Sequence, residues 1–380
     1  MLPEYASPSL SGEKFTVTYQ VAGDEKEARA RALEICYEQT VEFPADLTPK
    51  NINDSIVGQI VDFRPLTSSA YLATISYPRE CAGEELVQLL NVIFGNTSIK
   101  PGVRVERIDL HPQMLAGYRG PRFGRQGLRD LLHVEKRPLL CTALKPMGYP
   151  TEALAALAYQ FALGGIDIIK DDHGLANQSF SPFKERVQAC AEAVRAANEK
   201  TGYHSIYMPN ISAPHDQLLE HALTAKKLGA GGLMVAPGLI GFDSMRSLAD
   251  NDELALPVMS HPALMGSFTV SPQNGMSHFA LYGQINRLAG ADITVFPSWG
   301  GRFSFSREEC SAIVDGSKEA MGEIASIFPA PGGGMTLERI PEMLEVYGRE
   351  LIFLIGGGLH RHSSDTAENS RYFRNLVEKM

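Results

Sequence analysis

From Pro138 onward the chain alternates strand-like and helix-like segments eight times, and that regularity leaves few folds open. The strand candidates are short, apolar and β-branched, over 139–145, 165–172, 205–211, 232–236, 257–261, 292–296, 327–331 and 351–356. Helical patterns fall between or after them at 152–163, 182–199, 216–228, 308–321, 337–347 and 367–380. Eight strand–helix units in about 240 residues match the size of a (β/α)8 TIM barrel. A doubly wound open sheet would have fewer strands and a phosphate loop after its first one. Here the glycine triplets come late, at Gly332-Gly333-Gly334 and Gly356-Gly357-Gly358. Those are the ends of the seventh and eighth strands, where barrels commonly hold a phosphate. Glycine lets backbone N–H groups approach an anion closely; ordinary turns at helix caps are the plainer use of such residues.

The N-terminal part reads differently. Strands are expected at 15–21, 56–63, 70–75 and 103–110, with helices at 25–37, entered after Asp24, and at 84–94. Two helices on an antiparallel sheet make a ferredoxin-like α/β sandwich. The expected division is residues 1–125 for this domain and 126–380 for the barrel, with the Gly-, Pro- and Arg-rich segment 117–124 as linker.

Charge and cysteine usage exclude several function classes. A formal net charge of −9, with no basic run, argues against a nucleic-acid partner. No apolar stretch approaches the roughly 18 residues of a membrane span, and the start lacks the pattern of a signal peptide. Cys36, Cys81, Cys141, Cys190 and Cys310 are scattered and odd in number, as expected of reduced thiols in a cytoplasmic protein.

The chemistry concentrates in Gly164-Gly165-Ile166-Asp167-Ile168-Ile169-Lys170-Asp171-Asp172-His173. A buried strand does not carry such charges for stability, because unpaired buried charges are costly. At the C-terminal rim of a barrel strand they read as a site. Lys184, Glu185 and Arg186 read as a solvated helix face.

A small α/β domain feeding a barrel whose second strand reads GGxDxxKDD resembles the large subunit of RuBisCO. Arg119-Gly120-Pro121, Arg137-Pro138-Leu139-Leu140-Cys141-Thr142 and Lys145-Pro146 extend the resemblance over most of the chain. The length and the altered site residues resemble the RuBisCO-like proteins, often called form IV. The resemblance implies that Lys170 becomes a carbamate and binds Mg2+ with Asp172. The family's third ligand, a glutamate, is His173 here, and Lys145 matches the lysine that moves protons during enolisation. His261 matches the strand-5 histidine and Asn210 an active-site asparagine after strand 3. Glu38 matches the glutamate that reaches a neighbouring subunit's site, which implies a homodimer or higher homo-oligomer with shared sites and no small subunit. Arg302, in a glycine-hinged loop, falls near the mobile loop-6 lysine. Gly332, Gly333, Gly356, Gly357 and Gly358 match the phosphate-binding strand ends. The departures are Met147 for the second lysine of Lys-Pro-Lys, Pro262 for an arginine, Val295 for a phosphate-contacting histidine and Val92 for an asparagine.

Deprotonating a carbon next to a carbonyl needs a base and something to stabilise the enediolate oxygens, and a Mg2+ held by oxygen ligands supplies the second. Three readings stay open at His173: Mg2+ is still bound; another divalent ion, or none, is bound and His173 acts as acid or base; or Lys170 and Asp172 form a plain salt bridge. The expected activity is enolisation of a small phosphorylated sugar-like ketone or keto acid, by an isomerase, enolase or decarboxylase/carboxyl-transfer route, and not carboxylation of ribulose bisphosphate. A degenerate barrel with a ligand-binding role, a methionine-salvage enolase or isomerase, and a Schiff-base barrel are the alternatives.

Overall fold

The computed structural model describes residues 6–303 and 305–379. The chain forms two compact units. The first runs to Tyr118 and takes in 265–284 and 320–324, segments that the linear division assigned to the barrel. The second holds 119–264, 285–319 and the chain from Ala325 onward.

In the first unit, strand Lys14–Ala22 lies between Ala70–Pro78 and Val103–Asp109, with Gln59–Thr67 outside Ala70–Pro78, all antiparallel. With helices Glu25–Glu38 and Leu86–Phe94 this is the ferredoxin-like order, strands four-one-three-two. Period-2 alternation sets the buried face: Phe15, Val17, Tyr19 and Val21 are at most 1% exposed. The first helix begins with a reciprocal cap in which Asp24 accepts the Glu27 N–H and Glu27 accepts the Asp24 N–H. A two-residue strand, Gly275–Met276, adds to Val103–Asp109 in parallel. It is too short for any periodic signal and exists only through that pairing.

The second unit is the barrel. Its eight strands are Leu139–Leu144, Ile168–Asp171, Ile206–Met208, Leu233–Val235, Val258–Ser260, Ile293–Pro297, Phe328–Gly332 and Ile352–Leu354. They form two parallel arcs, eight-one-two-three and four-five-six-seven, and a bridge between Asn210 and Met234 joins strands three and four. Each strand contributes an inward apolar residue to one cluster, including Leu139, Ile168, Met208, Met234, Met259, Ile293, Phe328 and Ile352. Leu128 and Leu132 of helix Gly124–Leu132 belong to the same cluster and close the N-terminal end of the barrel.

Most of the Gly-Gly motif is structural. A Cβ on Gly164 would collide with Ser370 and lie 2.5 Å from the Ala367 carbonyl of the C-terminal helix, and Gly165 has φ +82°. The strand therefore starts at Ile168, three residues later than the composition suggests. Asp167 takes a two-pronged ion pair from Arg137, both bonds 2.7 Å, and accepts the Leu140 N–H at 2.8 Å.

Asp292, at the foot of strand six, accepts the N–H groups of Phe123, Gly124 and Val258 at 2.7, 2.7 and 2.8 Å. Burial outweighs those bonds and pushes its carboxyl up to about 6. The folded chain therefore holds this proton where the unfolded chain has already lost it, so its stabilising share is complete below about pH 4 and is lost as pH rises through 6. The stability gap between wild type and Asp292→Ala is expected to narrow by ~2–3 kcal/mol between pH 4 and pH 7, read by urea unfolding.

The five cysteines are free thiols. No helix among the described residues is long and apolar enough to cross a membrane.

Candidate active site at the barrel rim

Alternation along the strands carries the inward row from apolar core to polar rim. Leu139 and Cys141 lead to Lys145, one residue past strand one; Ile168 leads to Lys170 and then Asp172; Met259 leads to His261. The structure brings Lys145, Lys170, Asp172, His173 and His261 together. Lys145 Nζ donates to Asp172 Oδ1 at 2.5 Å, and His173 Nδ1 lies 3.3 Å from that same oxygen. The His173 and His261 rings stack with centroids 4.5 Å apart and planes 11° apart.

Charge states follow from these contacts. Burial alone would raise Asp172; hydrogen bonds from His173 and Lys145 and the charges of Lys145 and Lys170 outweigh it and hold its carboxyl well below the usual carboxylate range. His261 is pushed down to about 2, by burial first and then by the Lys170 and His173 charges. It is a neutral imidazole. Its Nδ1 accepts the Ala263 N–H at 3.2 Å, which leaves the ring proton on Nε2. Lys170 is 3% exposed, and burial lowers its pKa, with the Lys145 charge acting the same way. Its amine donates to the Asp171 carbonyl at 2.9 Å.

Asp171 points the other way, and its partner corrects the reading of the following helix. Arg186 is fully buried, not solvated, and its Nε donates to Asp171 Oδ2 at 3.2 Å. Tyr207 donates to Asp171 Oδ1 at 2.7 Å and the Asn210 N–H to Oδ2 at 3.1 Å. Arg186 also donates to the Ser181 and Ala176 carbonyls at 2.7 and 2.6 Å, tying down the loop after strand two. The signal was present in the sequence: Arg186 shares a helical stripe with Phe183, Val187, Cys190 and Val194, all buried. Asn210 holds the same loop, its Nδ2 donating to the His173 and Leu175 carbonyls at 2.9 Å each. Those bonds, with Oδ1 accepting the Ser212 N–H at 3.1 Å, make Asn210 a positioning residue for His173.

Strands seven and eight end in the glycine runs. Ser298 N and Arg302 N donate to the Gly332 and Gly333 carbonyls at 2.8 and 2.9 Å, so the loop after strand six docks on Gly332-Gly333. A side chain on Gly301 would strike the Gly333 carbonyl, and the exposed Arg302 guanidinium lies 5.6 Å over the Phe303 ring. Space over Gly356 and Gly357 is open: a Cβ on either would meet nothing within 4 Å. Met147 reaches over Gly174, while Val295 sits in the barrel core at 4% exposure.

Glu38 belongs to the first unit. It lines a cavity of about 580 Å³ with Asn91, Val92 and Asn96, accepts from Asn96 Nδ2 at 3.0 Å and lies 3.5 Å from Lys100 Nζ.

Residues 124–379 match the family profile described as "Ribulose bisphosphate carboxylase large chain, catalytic domain". The chain is 38% identical over 362 residues to "Ribulose bisphosphate carboxylase-like protein 1" of Rhodopseudomonas palustris, covering 95% of this chain and 96% of that one. It is 36% identical over 349 residues to the "5-methylthioribulose-1-phosphate isomerase" of Rhodospirillum rubrum, 91% of each chain. The crystal structure of a Rubisco-like protein from Rhodopseudomonas palustris superposes with a TM-score of 0.88 at 36% identity, over 97% of this chain and 99% of that one. The chain belongs to the ribulose bisphosphate carboxylase large-chain family, among its RuBisCO-like proteins.

Proposed function

We propose that this chain enolises a phosphorylated sugar-like ketone or keto acid at the barrel rim and does not carboxylate ribulose bisphosphate. The observation that carries this reading is the convergence of Lys145, Lys170, Asp172 and His261 on one rim. Lys145, its exposed amine having given one proton to solvent, takes the proton from the carbon next to the carbonyl and returns it to complete the step. Asp172 stays anionic and orients that amine; it is too acidic to be the base. Neutral His261 offers Nε2–H as a hydrogen-bond donor to the developing enediolate oxygen, without the proton loss an imidazolium would bring.

A resident cation fits these residues in part. Among the described residues no three His, Cys, Asp or Glu side chains gather to hold a metal, so any set must include Lys170 as a carbamate. Burial favours its neutral amine, the form that adds to CO2 with release of a proton. The holders would then be the Lys170 carbamate, Asp172 and His173. When bound, a divalent ion polarises the carbonyl and offsets enediolate charge. Mg2+ is the family's ion; Asp172 with a carbamate would supply two oxygen donors, and the third holder, His173, is a nitrogen.

The open glycines at 356–357, beside the 332–334 run and Arg302, form the cradle for one phosphate. The buried Val295 replaces the histidine through which the family contacts a phosphate, and Met147 replaces the second lysine of Lys-Pro-Lys; both departures speak against carboxylation. Glu38 is assigned to a partner subunit's site in a homodimer without small subunits, in a cytoplasmic setting that suits five unpaired thiols. The Rhodospirillum rubrum relative supports a specific second reading, isomerisation of 5-methylthioribulose-1-phosphate, which also shifts a proton beside a carbonyl.

Thermal-shift measurement against ketose monophosphates, keto-acid phosphates and ribulose bisphosphate tests the reading. Stabilisation by one or more monophosphates, lost in Gly357→Asp, is the expected result; stabilisation by ribulose bisphosphate alone would contradict it.

A further inference from the structure

The loop after strand two puts a nitrogen donor where an oxygen donor would make a site for Mg2+. His173 Nδ1 and Asp172 Oδ1 are 3.3 Å apart, joined by a hydrogen bond whose proton an ion bound to both atoms would replace. Two donors bound at right angles to one ion, each about 2.1 Å from it, lie roughly 3 Å from one another. The imidazole is held at that separation from two sides. Its ring stacks on His261 at 4.5 Å, and its carbonyl is fixed by Asn210 at 2.9 Å. The Lys145 ammonium sits 2.5 Å from the shared oxygen, the stand-in for a cation at this spot.

We infer that His173 is the metal-specificity residue of this site, selecting a borderline divalent ion such as Mn2+ or Co2+ over Mg2+. The inference rests on the enolising reading above, in its cation arm. Mg2+ takes oxygen ligands and dehydrates reluctantly, whereas imidazole suits ions later in the first transition row. Replacing a carboxylate by imidazole also removes one negative charge, which costs the harder ion more than the softer one. The rigid seating of the ring matters, because a free histidine would turn away and leave the position to water.

The test uses the full-length protein, stripped of metal, in bicarbonate buffer. Calorimetry with Mg2+ and Co2+ gives the ratio of their affinities, and pulsed EPR of the Mn2+-loaded protein reports any directly bound nitrogen. Expected are nitrogen coupling in wild type, its absence in His173→Glu, and a Co2+:Mg2+ affinity ratio at least tenfold lower in that variant. The half-exposed position of His173 makes the exchange tolerable to folding, and the wild-type spectrum stands without the variant. Metal bound through Asp172 but without nitrogen coupling, or an unchanged ratio, overturns this inference alone. No binding of any ion overturns it together with the cation arm, while hydrogen exchange into substrate decides the enolising reading independently.

Discussion

Lys145→Met is expected to reduce proton exchange between substrate and solvent by ~10³-fold while leaving the melting temperature near that of wild type. The side chain is 40% exposed, so the substitution opens no cavity, and methionine keeps an apolar stem of similar length. What disappears is the one amine among the described residues that donates to Asp172; Lys170 instead donates to a backbone carbonyl. Asp172 keeps its hydrogen bond from His173 and the nearby Lys170 charge and so stays anionic, and substrate binding changes less than turnover. Lys145→Arg is expected to rescue little, because a guanidinium keeps its charge and cannot accept the proton. The measurement is deuterium incorporation followed by NMR beside a thermal melt. Exchange at the wild-type rate in Lys145→Met would assign the base elsewhere, with Lys170 the next candidate.

The largest effect on stability is expected at Arg186. Its side chain and that of Asp171 are both 0% exposed, and burial raises the Asp171 carboxyl against the lowering pull of Arg186, Tyr207 and Asn210. Arg186→Leu leaves that carboxylate in a dry interior and strips donors from the Ala176 and Ser181 carbonyls. Loss of one member of a buried pair costs ~3–5 kcal/mol, a fall in melting temperature of roughly 10 °C. Replacing both members, Asp171→Leu with Arg186→Met, is expected to recover part of the loss, because no charge remains to be solvated. Equal melting of the single variant and wild type would show that the pair is not what holds the loop. The same substitution should loosen the segment that carries His173, which Asn210 and Arg186 hold together.

Much of this architecture was legible because it depends on period and punctuation. Eight apolar runs with helices between them gave eight barrel strands, each within a few residues of expectation, and Asp24 marked the start of the first helix. The gathering of Lys145, Lys170, Asp172 and His261 at one rim was legible for a related reason: a polar residue at the end of an apolar alternation has to emerge at a strand end. Three features escaped. The strand Gly275–Met276 and the inclusion of 265–284 in the first unit depend on tertiary pairing with Val103–Asp109, which no local pattern encodes. Arg186 was read by its charge when its helical position already placed it on the buried stripe. The partners of Asp167 and Asp171 were the third: one binds Arg137 and the other Arg186, on the outward side of the strand.

Deuterium exchange at the carbon next to the carbonyl is the most direct measurement of what this rim does. Purified protein, with bicarbonate and divalent metal, is incubated in heavy water with a panel of ketose monophosphates and keto-acid phosphates and followed by proton NMR. Loss of that signal for at least one monophosphate, dependent on Lys145, with no product from ribulose bisphosphate and CO2, is the expected result. Carboxylation of ribulose bisphosphate, or substrates that bind and never exchange, would contradict an enolising RuBisCO-like enzyme.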